Sequence, residues 1–204
     1  MTQTLLDPRM FDTSQALGAH DGSSLTGISS PLEFVTTTTA TSGTYLIVSG
    51  LTEGDNYLII GTDLEPVDTN SYLYMQGSND GTTYETGSQY SGSNTVLGRD
   101  GTATNYGSGS TTQVRIMGTG SLVENSNDEA SHFNMTFCRN ANLKNASLSF
   151  NGYQRGVGSL FQTWTAGAVD LGGSAADASA LRFYWSTAGG WQNGTVSVWK
   201  YVAA

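Results

Sequence analysis

The stretch from residue 179 to 202 constrains the fold most. It reads Ser-Ala-Leu-Arg-Phe-Tyr-Trp-Ser over 179–186, a connection carrying Gly189, Gly190, Asn193 and Gly194, then Thr-Val-Ser-Val-Trp-Lys-Tyr-Val over 195–202. Leu181, Phe183 and Trp185 fall on one side of the first arm. Val196, Val198 and Val202 fall on one side of the second, with Trp199 and Tyr201 on the other. This is the period-two alternation of strands, since successive side chains on extended backbone point to opposite faces. The spacing predicts a terminal β-hairpin, and with it an all-β chain that binds or assembles.

Charged residues make up 12% of the 204, against roughly 25% in an average soluble domain. The polar surface is therefore mostly hydroxyls and amides. A formal charge of −9 with only eight Lys and Arg argues against a nucleic-acid partner, because phosphate binding needs a positive stripe. The same sign argues against anionic membrane surfaces. No segment approaches the ~20 apolar residues of a spanning helix, so no membrane insertion is expected, and the first residues lack the pattern of a signal peptide. Cys138 is the single cysteine and closes an alternating run, where it reads as a small buried hydrophobe. The expectation is assembly in a reducing cytoplasm and use elsewhere.

Residues 1–33 show no alternating run, only isolated apolar side chains among turn formers, including Leu5, Leu6, Met10 and Phe11. They read as an extended N-terminal docking arm, with a short helical turn over 13–17. From 34 to 204 the pattern becomes strand, turn, strand. Residues 45–48 and 57–60 are apolar on both faces, which predicts burial on both sides or a place between core and subunit contact. Asp80-Gly81 suits a tight hairpin turn. Residues 92–112 are nearly all small and polar and read as a long exposed loop. Alternation is best over 132–137, and residues 175–180 suggest a brief helical turn. About nine to eleven strands result, giving an antiparallel β-sandwich or a jelly-roll-like pair of sheets.

Three stretches in order carry a resemblance. The first runs from Ser49-Gly50-Leu51 through Asn56-Tyr57-Leu58-Ile59-Ile60 and Leu64-Glu65-Pro66-Val67-Asp68-Thr69 to Tyr72-Leu73-Tyr74-Met75 and Ser78-Asn79-Asp80-Gly81. The second is the aromatic middle around Phe133 and from Phe150 to Tyr153, and the third is the closing pair of strands. Together they resemble the β-sandwich domains of bacteriophage virion surface proteins, of the tail-fibre or particle-decoration type, over residues 34–202. The resemblance implies a structural virion component built in the host cytoplasm. It implies homo-oligomers, with a trimer favoured, alongside other virion proteins. The chain departs from that pattern by adding Trp199, Lys200 and Tyr201 at the end. These two aromatic residues, with Leu5, Leu6, Met10 and Phe11, are the candidate assembly contacts.

Little in the chain points to catalysis. No G-x-S-x-G elbow is present, and His20 and His132 are too far apart in sequence for a local metal pair. His132 with Asp128 and Glu129 reads more simply as a turn entering a strand. The carboxylates at Asp63, Glu65 and Asp68 could gather calcium, but their spacing is not that of an EF-hand. No catalytic residue, metal or cofactor is expected. The competing reading is a carbohydrate-binding module, with a host-surface glycan as ligand. An exposed indole offers a flat apolar face to a sugar ring. Trp191, in the Gly-rich connection, is the candidate glycan contact, while Trp164, Trp185 and Trp199 read as core or subunit contacts.

Overall fold

A computed structural model describes residues 31–68, 71–98, 103–117, 131–139, 146–155, 162–172 and 177–202. These form twelve strands and no helix: β1 (Leu32–Ala40), β2 (Tyr45–Ser49), β3 (Asn56–Pro66), β4 (Leu73–Ser78), β5 (Tyr90–Gly98), β6 (Ala103–Thr111), β7 (Val114–Met117), β8 (Ser131–Cys138), β9 (Ala146–Arg155), β10 (Gln162–Leu171), β11 (Ala180–Trp185) and β12 (Trp191–Tyr201). An eight-stranded sheet runs β1-β12-β3-β8-β9-β10-β5-β6, and a four-stranded sheet runs β2-β11-β4-β7. Every pairing is antiparallel. The sandwich read from the sequence is the fold observed.

Alternation builds the core. Phe133, Met135 and Phe137 point inward from β8, and Leu181, Phe183 and Trp185 point inward from β11. Phe133 and Phe183 stack across the gap with centroids 5.4 Å apart. Burying each such ring contributes about 1.5–3 kcal/mol. Gly61 sits opposite Phe133 in the β3–β8 ladder. A Cβ at Gly61 would lie 2.4 Å from the Phe133 ring, so the missing side chain makes room for the ring. Asp63, at a φ of 54°, marks the register shift between Gly61 and Leu64. Its left-handed backbone is that of a β-bulge.

The closing strands do not form a hairpin. β11 lies between β2 and β4 in the small sheet, whereas β12 lies between β1 and β3 in the large one. Residues 186–190 therefore arch from one sheet to the other. The apolar faces of the two strands meet across the core instead of lying side by side. Alternation is identical in the two cases, which is why the sequence pattern did not separate them. The arch is pinned on several sides: Ser186 N–H donates to Tyr72 O at 2.9 Å, Gly189 N–H to Asp68 Oδ2 at 2.9 Å, Val67 N–H to Gly190 O at 3.0 Å and Trp191 N–H to Gly43 O at 3.0 Å. Val202, expected inward, is exposed beyond the end of β12.

Other expectations are corrected in the same way. Residues 92–112 are not a loop, since β5 and β6 pair from Tyr90 opposite Thr111 to Leu97 opposite Ala103. Ladder hydrogen bonds need no apolar side chains, and these two strands form the end of the large sheet. The Asp80-Gly81 turn is real, with Asp80 Oδ1 accepting from Thr82 N–H at 2.8 Å, Thr83 N–H at 2.6 Å and Ser78 Oγ at 2.9 Å. These hydrogen bonds hold the Asp80 carboxyl well below the usual carboxylate range. The turn leads from the small sheet to the large one, so it too joins no hairpin. Asp177 to Ser179 form a turn and bend before β11 and no helix; residues 175–176, like 13–17, lie outside the described residues. β2 is buried on one face only, at Leu46 and Val48, and β3 buries Tyr57 and Ile59 while Leu58 and Ile60 are half-covered. Cys138 is half-buried, because the inward positions of β8 are the odd-numbered ones.

Candidate functional site

The outer face of the four-stranded sheet carries a cluster that no single motif announced. With Leu46, Val48, Leu73, Met75, Leu181 and Phe183 turned inward, alternation turns Tyr45, Tyr72, Tyr74, Arg182 and Tyr184 outward. The register then aligns them. Tyr184 lies opposite Tyr45 on one side and Tyr74 on the other, and Arg182 lies opposite Ile47 and Gln76. Arg115 of β7 lies opposite Tyr74.

A continuous strip of rings results. Centroids are 5.7 Å apart for Tyr45 and Tyr184, 5.6 Å for Tyr184 and Tyr74, and 6.1 Å for Tyr74 and Tyr72, within the range of favourable aromatic pairs. Guanidinium groups sit among them. Arg182 lies 4.6 Å from the Tyr45 centroid and 4.4 Å from that of Tyr84, and Arg115 lies 4.4 Å from that of Tyr72. Arg182 is fixed from the neighbouring strand: its Nε and Nη2 donate to Gln76 Oε1 at 2.9 and 2.6 Å, while Gln76 Nε2 donates to Thr112 O at 2.9 Å. Gln76 is itself buried. The Tyr184 hydroxyl donates to Gln113 Oε1.

Burial pushes the Tyr184 phenol up to about 12, against the opposing pull of Arg182. Tyr90, below this face, is pushed up to about 12 for the same first reason; its hydroxyl accepts from Gly77 N–H at 3.0 Å and donates to Glu85 O at 3.1 Å. An unfolded tyrosine ionises near 10. Between about pH 10 and 12 the unfolded chain therefore holds fewer protons than the folded one, and stability falls as pH rises. Base titration followed at the phenolate absorbance is expected to show these two groups ionising near 12 rather than near 10 while the fold holds. Their ionisation in the ordinary range with the fold intact would contradict the burial assigned to them.

A second exposed cluster lies on the outer face of the large sheet, at the β1 edge. Phe34, 54% exposed, stands edge-on to Trp199 at 5.1 Å. Tyr201, opposite Leu32, is 43% exposed, and half-buried Leu58 lies opposite Trp199. Lys200 between them bonds Glu33 at 3.4 Å and Asp55 at 3.7 Å. Trp199 and Tyr201 are thus brought together with Phe34, which the sequence reading had not paired with them. Leu5, Leu6, Met10 and Phe11 lie outside the described residues.

Trp191 is not a surface ring. It is 0% exposed, meets Trp185 edge-on at 5.3 Å and fills space left by Gly194, where a Cβ would lie 2.6 Å from the indole. Register shifts between Trp191 and Asn193 and between Asn193 and Thr195 change which parity of β12 faces the core. That makes both Trp191 and Val196 inward, an outcome simple alternation does not predict. Trp185 is buried as expected, while the side chain of Trp164 lies outside the described set.

Asp63, Glu65 and Asp68 do not converge: Glu65 accepts from Asn193 Nδ2 at 3.1 Å, and Asp68 holds the arch. Among the described residues no three metal-ligating side chains cluster. His132 is exposed and stacks on Tyr153 at 5.3 Å; Asp128 and Glu129 lie outside the described residues. Comparison with protein-family models, with curated proteins and with solved structures finds no match to this chain.

Proposed function

We propose that the chain is a structural protein of a bacteriophage particle, of the tail-fibre or capsid-decoration type, that acts by association through the β1 edge of its large sheet. The observation that carries this reading is the aromatic ledge made by exposed Phe34 and Tyr201 with half-buried Trp199. Clustered apolar rings on a protein surface mark sites of contact, and aromatic residues are enriched in interface cores. The placement on a virion rests on the resemblance over residues 34–202. The preferred partner is a further copy of the chain, a trimer being favoured, with other virion proteins around it.

Sedimentation tests the assembly step. The purified chain is expected to form a homo-oligomer, and Phe34→Ser combined with Trp199→Ser is expected to return it to monomer without loss of strand content. A wild-type chain that stays monomeric across the accessible concentration range, or a variant that assembles as the parent does, defeats the reading. The competing carbohydrate reading loses Trp191 as its anchor. It gains the Tyr and Arg face of the other sheet.

A further inference from the structure

We propose that the outer face of the four-stranded sheet binds an anionic polysaccharide, with sugar rings laid along Tyr45, Tyr184 and Tyr74 and a sugar carboxylate received by Arg182. This does not rest on the assembly reading, because the aromatic ledge belongs to the outer face of the other sheet.

Charge selects the ligand. On a chain of net charge −9, the hydrogen-bond and ring contacts of Arg182 are with neutral groups, the Gln76 amide and the rings of Tyr45, Tyr84 and Tyr184, while Asp80 and Glu85 act on the neighbouring Tyr84 and Tyr90. Among the described residues the ion pairs are those of Lys200, not of Arg182, and Arg182 bonds Gln76 through Nε and Nη2. A guanidinium held through those two nitrogens keeps Nη1–H groups to offer a carboxylate. Gln76, locked to Thr112 O, keeps that group from swinging away. It is therefore organised before any ligand arrives.

Shape selects further. The rings come from adjacent strands, which lie about 4.8 Å apart, so they form a low strip running across β2, β11 and β4. Such a strip suits the apolar C–H face of a pyranose, with the phenol hydroxyls at its margin. Protein hot spots, by contrast, are anchors that fill pockets, whereas these rings meet one another tilted or edge-to-face at 5.6–6.1 Å. Nucleic acid would present a phosphate every few ångströms and demand a longer cationic track.

Affinity electrophoresis tests the proposal, using gels containing polygalacturonate, hyaluronan or polysialic acid, and carboxyl-reduced polygalacturonate as the uncharged comparison. The parent is expected to be retarded by at least one polyanion, more weakly at high salt. Tyr45→Ala, at a site 47% exposed where folding tolerates change, is expected to weaken binding about tenfold by removing a stacking ring and a partner of Arg182. Arg182→Met is expected to erase any preference for charged over carboxyl-reduced polymer. Absence of retardation by all three polyanions overturns the proposal. Equal retardation by the carboxyl-reduced polymer overturns it as well. Loss of self-association in Tyr45→Ala with polymer mobility unaltered identifies a protein interface instead and also overturns it.

Discussion

Trp191→Ala is expected to lower folding stability by about 3–5 kcal/mol, the cost of deleting a large aromatic side chain from a closed core. The indole is wholly enclosed between the sheets, against Trp185 and over Gly194. Little around it is free to collapse into the space: Gly194 has no side chain to extend, and the Trp191 backbone is tied to Gly43 O. Domains of this size are stable by about 5–15 kcal/mol, so the variant would be close to unfolding at ordinary temperature. Urea denaturation measures the effect, with a lower midpoint and an unchanged slope expected. A surface glycan contact would behave oppositely, losing ligand while folding as the parent. A midpoint within experimental error of wild type would sink the core assignment.

Gly190→Ala is expected to cost on the order of 2–5 kcal/mol from two separate sources. At a φ of 73° any Cβ is disfavoured by about 1–2 kcal/mol. The new methyl would also stand 2.1 Å from Gly43 O, a clash of the overpacking kind, worth typically 1–3 kcal/mol or more. That oxygen is backbone, and it already accepts the Trp191 N–H at 3.0 Å. It has nowhere to move without opening the arch. Gly54→Ala separates the two sources, because Gly54 has a φ of 87° with nothing within 4 Å of the added Cβ. Thermal unfolding of both variants is expected to place Gly190→Ala well below Gly54→Ala. Equal losses would show that the contact with Gly43 carries no weight.

Side-chain alternation was readable wherever strands are regular, as at Phe133, Met135 and Phe137 or Leu181, Phe183 and Trp185. It gave the class of fold directly. It was silent on which sheet a strand joins, because a hairpin and an arch present the same alternation, and so β11 and β12 were paired with each other when each pairs with other strands. Bulges defeated it at Trp191, where two register shifts change the parity. Composition misled at 92–112, since a sheet end held by backbone ladders can be built from Ser, Thr, Asn and Gly.

The Tyr and Arg face was half-visible. Tyr72 with Tyr74 and Arg182 with Tyr184 are spaced two apart, on the outward parity of strands already recognised. What brings them to Tyr45 and Arg115 is cross-strand register over separations of up to about 140 residues, fixed by which neighbours pair and invisible in any local window. The ledge at Trp199 and Tyr201 was anticipated from the second arm alone. Its third member, Phe34, comes from the far end of the described chain through the β1–β12 pairing.

The position of β11 and β12 in the strand order bears on how the molecule comes into being. β12 separates β1 from β3, and β11 separates β2 from β4. Strands early in this order are thus divided by late ones. The small sheet lacks a central strand until Trp185 has been made, and the large sheet until Tyr201. Until then Leu46, Ile59 and Met75 lack the strands that cover them, leaving paired edges open to other chains. The ladders of β5 with β6 and of β8, β9 and β10 need neither strand, but completion of this sandwich waits for its last strand and for contacts distant in sequence, as expected for a slow, high-contact-order topology. A nascent chain halted before β11 would be a target for chaperones rather than a partly built module.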